Sequence, residues 1–295
     1  MELVQIKGDT WYLDGAEHIP LIRLEGGGCI LLDSGHGFEG ADLAASLDRA
    51  GLRPLGVFCS HAHRDHAGNN AFLRERYGAW ICLPFGEAAL SANLPMYKSV
   101  YTSYSPRKLN ASIGHILGPV DQTVAFGEEH VTFCGVPLQV VHTPGHTPDH
   151  ICTITPDGVL YTADALMDGE ELAKARLPYH AFHEEARRSM EKLRRVSCAC
   201  YVAAHRGVGT DLVSLVNGNL AMLDRLCGVL LELAEEPMSL DQLCLAYYRR
   251  MRLMTSHVEK AALYSGNIQV MTEYLVDMGQ MNVLIREGLR YFQRL

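Results

Sequence analysis

Along the first two thirds of the chain, short apolar runs closed by turn residues recur. They predict strands at residues 20–24, 29–33, 55–60, 79–83, 130–134, 137–142, 150–155, 159–163 and 199–204. Helical spacing with a glycine stop lies between some of them. Leu43 and Leu47 precede Gly51, Gly78 follows Tyr77, and Met190 and Leu193 mark a third pattern, which predicts helices at 40–50, 70–77 and 184–195. Interleaved strands and helices imply a layered α/β or α+β body. From about residue 212 the pattern changes to long Leu- and Met-rich helical stretches. Ser239 and Gln242 fit a capping box that opens a helix to about residue 248, a further helix is expected over 257–278, and two strands meeting at Glu287-Gly288 suggest a terminal hairpin. The expected division is a domain of residues 1–212 and a smaller, mainly helical, winged-helix-like domain of residues 213–295. The Tyr-rich segment 84–121, with Tyr97, Tyr101 and Tyr104, is weakly periodic and reads either as an insertion over a site or as a surface excursion.

Composition narrows the class. With 48% apolar and 20% charged residues among 295, the chain has an ordinary globular make-up, and disorder and low complexity are excluded. A formal net charge of −8 argues against a general affinity for nucleic acid or anionic membrane. The N-terminal residues lack a basic stretch followed by an apolar one, and apolar runs are shorter than a membrane span, so a cytoplasmic location without membrane partners is expected. Nine cysteines, an odd number without a CxxC pair, read as reduced and mostly buried thiols, and the Cys198-Cys200 pair is a weak metal signal better explained by core packing.

The chemistry concentrates in SHAHRDH, directly after an apolar strand. His61, His63, Asp65 and His66 are four metal-competent side chains in one turn, where neighbouring side chains can converge. Three further groups follow strands: His146 in a Pro-Gly-His turn, Asp164 in LYTADAL and His205 in YVAAHRG. A carboxylate closing a buried strand is costly alone, and a cation supplies its partner. Five His and two Asp are too many for one tetrahedral ion and suit two ions sharing a bridging carboxylate and a bridging water. His150 is expected to pack rather than bind metal, and His18, His36, His115, His130 and His257 to be surface or core residues.

HxHxDH, then a lone His in a PGH turn, then Asp and His each after a strand, resembles the metallo-β-lactamase superfamily. The intervals of 80, 18 and 41 residues from His66 to His146, to Asp164 and to His205 suit that family. The resemblance covers residues 1 to about 212 and implies a four-layer αββα sandwich with a dinuclear site. It implies that His61, His63 and His146 hold one metal and Asp65, His66 and His205 the other, with Asp164 bridging. Asp33, in LLDSG, would orient a ligand imidazole from behind. Departures stand at Asp149 and Ala163, where Gly is common, and at Ala203-Ala204, where Pro-Gly is common; they weigh against a named subfamily, the glyoxalase II-like one in particular. The mechanism implied is attack by a metal-bridged hydroxide, with Asp65 passing a proton toward the leaving group. Tyr179, His180 and His183 are candidate substrate contacts, with a solvated helix start as the competing reading.

The leading expectation is therefore a metal-dependent hydrolase of a small ester, thioester or lactone, using two divalent ions. Zinc is preferred, and iron or manganese also suit the donors. Nuclease or phosphodiesterase work on RNA or a nucleotide is the alternative suggested by the C-terminal module. It is not favoured: after residue 212 eight Lys/Arg stand against nine Asp/Glu, with a small basic cluster at Arg249, Arg250 and Arg252. A mono-iron sulfur dioxygenase is a further alternative, whereas His63 disfavours a di-iron flavoprotein and the full donor set a non-catalytic binding protein. The apolar C-terminal helices would serve a homodimer as readily as an intramolecular interface.

Overall fold

The computed structural model describes residues 1–100 and 105–295; Tyr101 and Tyr104 of the Tyr-rich segment lie outside them. The first sheet has the order β1 (Glu2–Lys7), β2 (Thr10–Asp14), β3 (His18–Arg23), β4 (Gly28–Leu32), β5 (Arg53–Phe58), β6 (Trp80–Pro84), β7 (Gln122–Val124). Pairing is antiparallel as far as β4 and parallel beyond it. The second sheet lines up β8 (His130–Phe133), β9 (Val136–His142), β10 (Ile151–Ile154), β11 (Val159–Ala163), β12 (Cys200–Ala203) and β13 (Gly207–Gly209), with β11 and β12 parallel. Helices α1 (Gly40–Arg49), α2 (Asn70–Tyr77), α3 (Phe85–Ser91), α4 (Leu94–Val100), α5 (Pro106–Ile113), α6 (Gly169–Lys174) and α7 (His183–Leu193) join them.

Period-two alternation builds the layers. In β4, Ile30 and Leu32 enter the core between the sheets, while Cys29 and Leu31 pack outward with Leu43 and Leu47 of α1 and Leu73 of α2. In β11, Val159 and Tyr161 face the same inter-sheet core and Leu160 faces α7 and the C-terminal helices. Strands covered on both faces read as continuous apolar runs. Phe58 and Phe133 meet across the sandwich with ring centroids 5.6 Å apart. The result is helices, sheet, sheet, helices.

The C-terminal part runs α8 (Leu212–Leu233), β14 (Met238–Ser239), α9 (Leu240–Met251), α10 (Val258–Asp277), β15 (Met281–Arg286) and β16 (Leu289–Arg294), with a three-stranded sheet ordered β14-β16-β15. The capping box at α9 is formed: Gln242 N donates to Ser239 Oγ at 3.3 Å and Ser239 N to Gln242 Oε1 at 2.8 Å. One apolar cluster joins Leu160 of β11, Met190 of α7, Leu223 and Leu230 of α8, Tyr247 of α9 and Ile268 of α10. Asn219 of α8 clamps the loop after β11, accepting from Met167 N at 2.9 Å and donating to Met167 O at 2.8 Å. Among the described residues no helix is long and apolar enough to cross a membrane. All nine cysteines are thiols, and Cys134 and Cys198 are the partly exposed ones.

Every strand and helix expected from the pattern is present, and within residues 1–212 the ends differ by no more than two residues. Strands β1, β2, β7 and β13 were not expected. β1 is a half-exposed edge whose alternation is blurred, and β7 and β13 have three residues each. The segment 84–121 is largely helical, and α5 forms one wall of the cavity described below.

Candidate metal centre

The metal-competent groups gather at the carboxyl ends of β4, β5, β9, β11 and β12. After β5 the chain tightens: His66 N and Ala67 N both donate to His63 O, at 3.1 and 2.8 Å, and Ser34 N donates to His66 O at 2.6 Å. This turn folds SHAHRDH back on itself. His61, His63, His146 and Asp164 each bring one donor atom to within 4.8 Å of the others, and Asp65, His66 and His205 do the same. The resemblance divides the histidines in the same way; Asp164 falls with the first set by this measure, and Glu17, His36 and Asp65 form a third gathering.

Four of the five imidazoles are aimed by a bond on the other nitrogen, whereas His63 Nδ1 lies 3.0 Å from His146 Nε2. Asp33, at φ 66° after β4, accepts at Oδ1 from Ser60 N at 2.6 Å, and at Oδ2 from Ser60 Oγ, His66 Nδ1 and Tyr161 Oη, all at 2.7 Å. With its proton given to Asp33, Ser60 Oγ accepts from His61 Nδ1 at 2.9 Å. Asp33 thus sets the tautomer of His66 directly and of His61 through Ser60, leaving Nε2 of both as acceptors. His146 Nδ1 donates to Tyr179 O at 3.0 Å, and His205 Nδ1 donates to Glu17 Oε2 at 2.7 Å.

Asp164 is the hub. Its Oδ2 faces His146 Nε2 at 3.1 Å, and its Oδ1 faces His66 Nε2 at 3.2 Å and His205 Nε2 at 3.3 Å. Ala163, just before it, has φ 44°. This accounts for glycine being common at that position, since a left-handed backbone costs a Cβ-bearing residue about 1–2 kcal/mol. His150 has both ring nitrogens engaged within the protein: its Nδ1 donates to the Thr143 hydroxyl Oγ1 at 2.8 Å and its Nε2 accepts from Asp164 N at 3.3 Å.

The electrostatics call for positive charge. Burial and neighbouring imidazoles push His61 well below the usual histidine range, so it is a neutral donor. Burial likewise brings His63 down to about 3. Burial also pulls on His66 and His205, but Asp164 with Asp33 holds the first well above its ordinary value, and Asp164 with Glu17 lifts the second to about 10. His61 Nε2 is buried without a hydrogen-bond partner among the described residues, and Asp164 Oδ1 meets the ring nitrogens of His66 and His205. A buried carboxylate ringed by imidazole nitrogens, one of them an orphaned lone pair, fits a divalent cation, which would take the place of a proton between Asp164 and these rings.

Several supporting groups were not legible in the sequence. Glu87 is buried in α3, accepting from Ala62 N at 3.0 Å and Asp149 N at 3.1 Å, and so straps the first histidine loop to the second. Asp149 in turn accepts from Gly86 N at 2.8 Å, a role for this departure from glycine. Glu17, Glu87 and Tyr161 act across long sequence separations, where no local motif marks them, and Ser60 opens SHAHRDH but reaches back 27 residues to Asp33. Gly145 has φ +139°, and a Cβ there would lie 2.3 Å from Ala186 Cα; this close approach seats α7 against the Pro-Gly-His turn.

A cavity of about 380 Å³ opens beside the cluster, lined by His63, Asp65, His146, Asp164 and His205 at one side. Tyr179 and His180 also line it, with Tyr179 5.4 Å and His180 6.4 Å from the His146 ring. His183 does not fit the expected substrate contact, nor is it a solvated helix start. It is buried at the first turn of α7, its Nε2 3.5 Å from Cys227 Sγ and its ring 4.7 Å from Tyr274, because α8 and α10 cover that face.

Comparison with known proteins agrees with this geometry. Residues 15–205 match the metallo-beta-lactamase superfamily. A hydroxyacylglutathione hydrolase of Rhizobium meliloti (strain 1021) is 32% identical over 41% of this chain and 37% of its own length. An atrochrysone carboxyl ACP thioesterase of Emericella nidulans is 28% identical over 65% of this chain and 52% of its own. The chain thus spans about two fifths to one half of the length of these relatives. A beta-lactamase domain protein from Burkholderia ambifaria has the same fold over 100% of this chain and 94% of its own (TM-score 0.74, 18% identity). A metallo-beta-lactamase family protein from Thermus thermophilus covers 94% of each chain (TM-score 0.73, 21% identity). Hydroxyacylglutathione hydrolases are nonetheless among the proteins that this chain resembles. With the family match spanning the residues that carry the cluster, the chain belongs to the metallo-β-lactamase superfamily.

Proposed function

We propose that the chain is a dinuclear metallohydrolase, with zinc the preferred metal, that cleaves a thioester, small ester or lactone. The observation that carries this reading is the split of Asp164: its Oδ2 faces His146, which gathers with His61 and His63, and its Oδ1 faces His66 and His205, which gather with Asp65. Asp164 would bridge two cations held by those sets. When bound, the cations lower the pKa of a coordinated water toward ~7 and polarise the carbonyl under attack.

The remaining work falls to the protein. Asp33, Glu17 and Tyr179 O hold the imidazoles in the donor tautomer, and Asp65, at the cavity wall, accepts the proton of the attacking water and returns it to the leaving thiol or alcohol. The acyl carbon gains a bond to the water oxygen, and its bond to sulfur or oxygen breaks with both electrons leaving on that atom. The thioester preference is supported by the names of the two relatives. The order helix, strand, helix, helix, hairpin in the C-terminal part supports the winged-helix reading, with residues 1–212 as the catalytic unit.

The test is elemental analysis of protein purified without chelator, paired with turnover of a thioester, a lactone and a phosphodiester. About two zinc ions per chain with thioester or lactone cleavage is expected. Asp164→Ala should bind no more than one and lose at least a hundredfold in turnover. An active Asp164→Ala protein overturns the bridging role, and one iron per chain without hydrolysis moves the reading to sulfur oxidation.

A further inference from the structure

The cavity beside the metal centre has two unlike ends. Its inner wall is apolar and buried: Leu109 and Ile113 of α5, Met190 of α7 and Met222 of α8, none more than 5% exposed, with Met167 and Leu263 beside them. Its outer rim carries the exposed Arg64 and Glu259. Part of that inner wall lies outside the family match at residues 15–205, because Met222 and Leu263 belong to α8 and α10. The polar groups on the wall are already engaged: the Asn219 amide bonds Met167 and Leu215, Tyr97 Oη donates to Ala62 O, and Ser112 Oγ accepts from Arg64. Methylene groups laid against the apolar side chains would gain by leaving water, whereas a hydroxyl there would give up its bonds to water.

We propose that the substrate is a thioester with an unbranched apolar acyl group of medium length, whose chain lies along Leu109, Ile113, Met190, Met222 and Leu263 while its carrier remains at the Arg64 rim. This rests on the hydrolase reading above. The direction follows from burial, since the apolar lining residues are the buried ones and the charged Arg64 and Glu259 are exposed, where a polar carrier would stay in water. It also follows from the position of His180, which stands beside His146 at the metal end, where the polar thioester atoms would be. Methionines at three of the wall positions suit flexible chains of varying shape.

The experiment uses zinc-loaded full-length protein and S-acyl N-acetylcysteamine thioesters from acetyl to decanoyl, so that the leaving group stays constant. The expected result is a rise in kcat/KM of about fourfold per added methylene until the cavity is filled, followed by a fall. Met222→Trp should move the optimum to shorter chains and lower the decanoyl-to-acetyl ratio at least tenfold. Leu263→Trp, at a half-buried position, should do the same if Met222→Trp does not fold. Binding of free decanoate, followed by the shift in Tm it produces, should weaken in parallel. Hydrolysis of the whole series at one rate overturns the acyl pocket and leaves the hydrolase reading standing. Absence of any thioester cleavage by protein with its metal in place overturns both.

Discussion

Asp33 accepts four hydrogen bonds, from Ser60 N, Ser60 Oγ, His66 and Tyr161, which uses the whole capacity of a carboxylate. Replacing it by Asn turns one acceptor into a donor that must face one of those N–H or O–H groups. Asp33→Asn should therefore weaken metal retention by about 10–100-fold, read as zinc remaining after dialysis against graded chelator, with the circular dichroism spectrum unchanged. Retention equal to that of the parent would mean that the imidazoles are aimed by something else. At this scale the sequence was informative where a motif is local. His61, His63, Asp65 and His66 share one turn, and Asp33 sits in LLDSG. Glu17 and Glu87 gave no such signal, because their partners lie 188 and 62 residues away, at His205 and Asp149.

At the level of elements, covering α7 with the C-terminal helices has a titration consequence. His183 at the start of α7 is brought down to about 4, first by burial and then by Arg187 on the same helix, against an opposing pull from Asp224 of α8. The other groups that face it are the Cys227 thiol of α8, the Tyr274 phenol of α10 and the His180 ring, 6.3 Å away. The unfolded chain, near 6.5, binds this proton more readily than the folded one, so stability is full above about 6.5 and falls with pH toward 4. Between pH 7 and pH 5 this histidine should remove about 2 kcal/mol. Urea unfolding of His183→Gln at the two pH values should show a correspondingly smaller difference; an identical one would place the acid sensitivity elsewhere. Strong periodicity made the central strands and α1, α2 and α7 readable. What covers a helix face is a tertiary property, and for that reason His183 was misjudged as open to substrate or solvent.

For the whole molecule, one apolar cluster runs from β11 through α7 into α8, α9 and α10, and Asn219 ties α8 to the loop that follows Asp164. Heat should consequently unfold the chain in a single calorimetric transition, with the calorimetric and van't Hoff enthalpies in agreement. Two separated transitions would show that the C-terminal helices form an independent unit. The composition change near residue 212 was visible in the sequence, but the sharing of one core was not, since apolar spacing along a helix marks a buried face without naming what buries it.

Asp33 also has a geometric meaning beyond its four bonds. Asp33, Ser60 and His66 follow strands of the first sheet, and Tyr161 belongs to the second, so the two halves of the sandwich are joined under the metal floor by a polar rivet. Side chains elsewhere between the sheets can therefore be exchanged over evolutionary time without altering the spacing of the donor sets. The Thermus and Burkholderia chains retain this fold at 21% and 18% identity. A scaffold fastened in this way leaves its interior free to drift while its reactive edge keeps its dimensions.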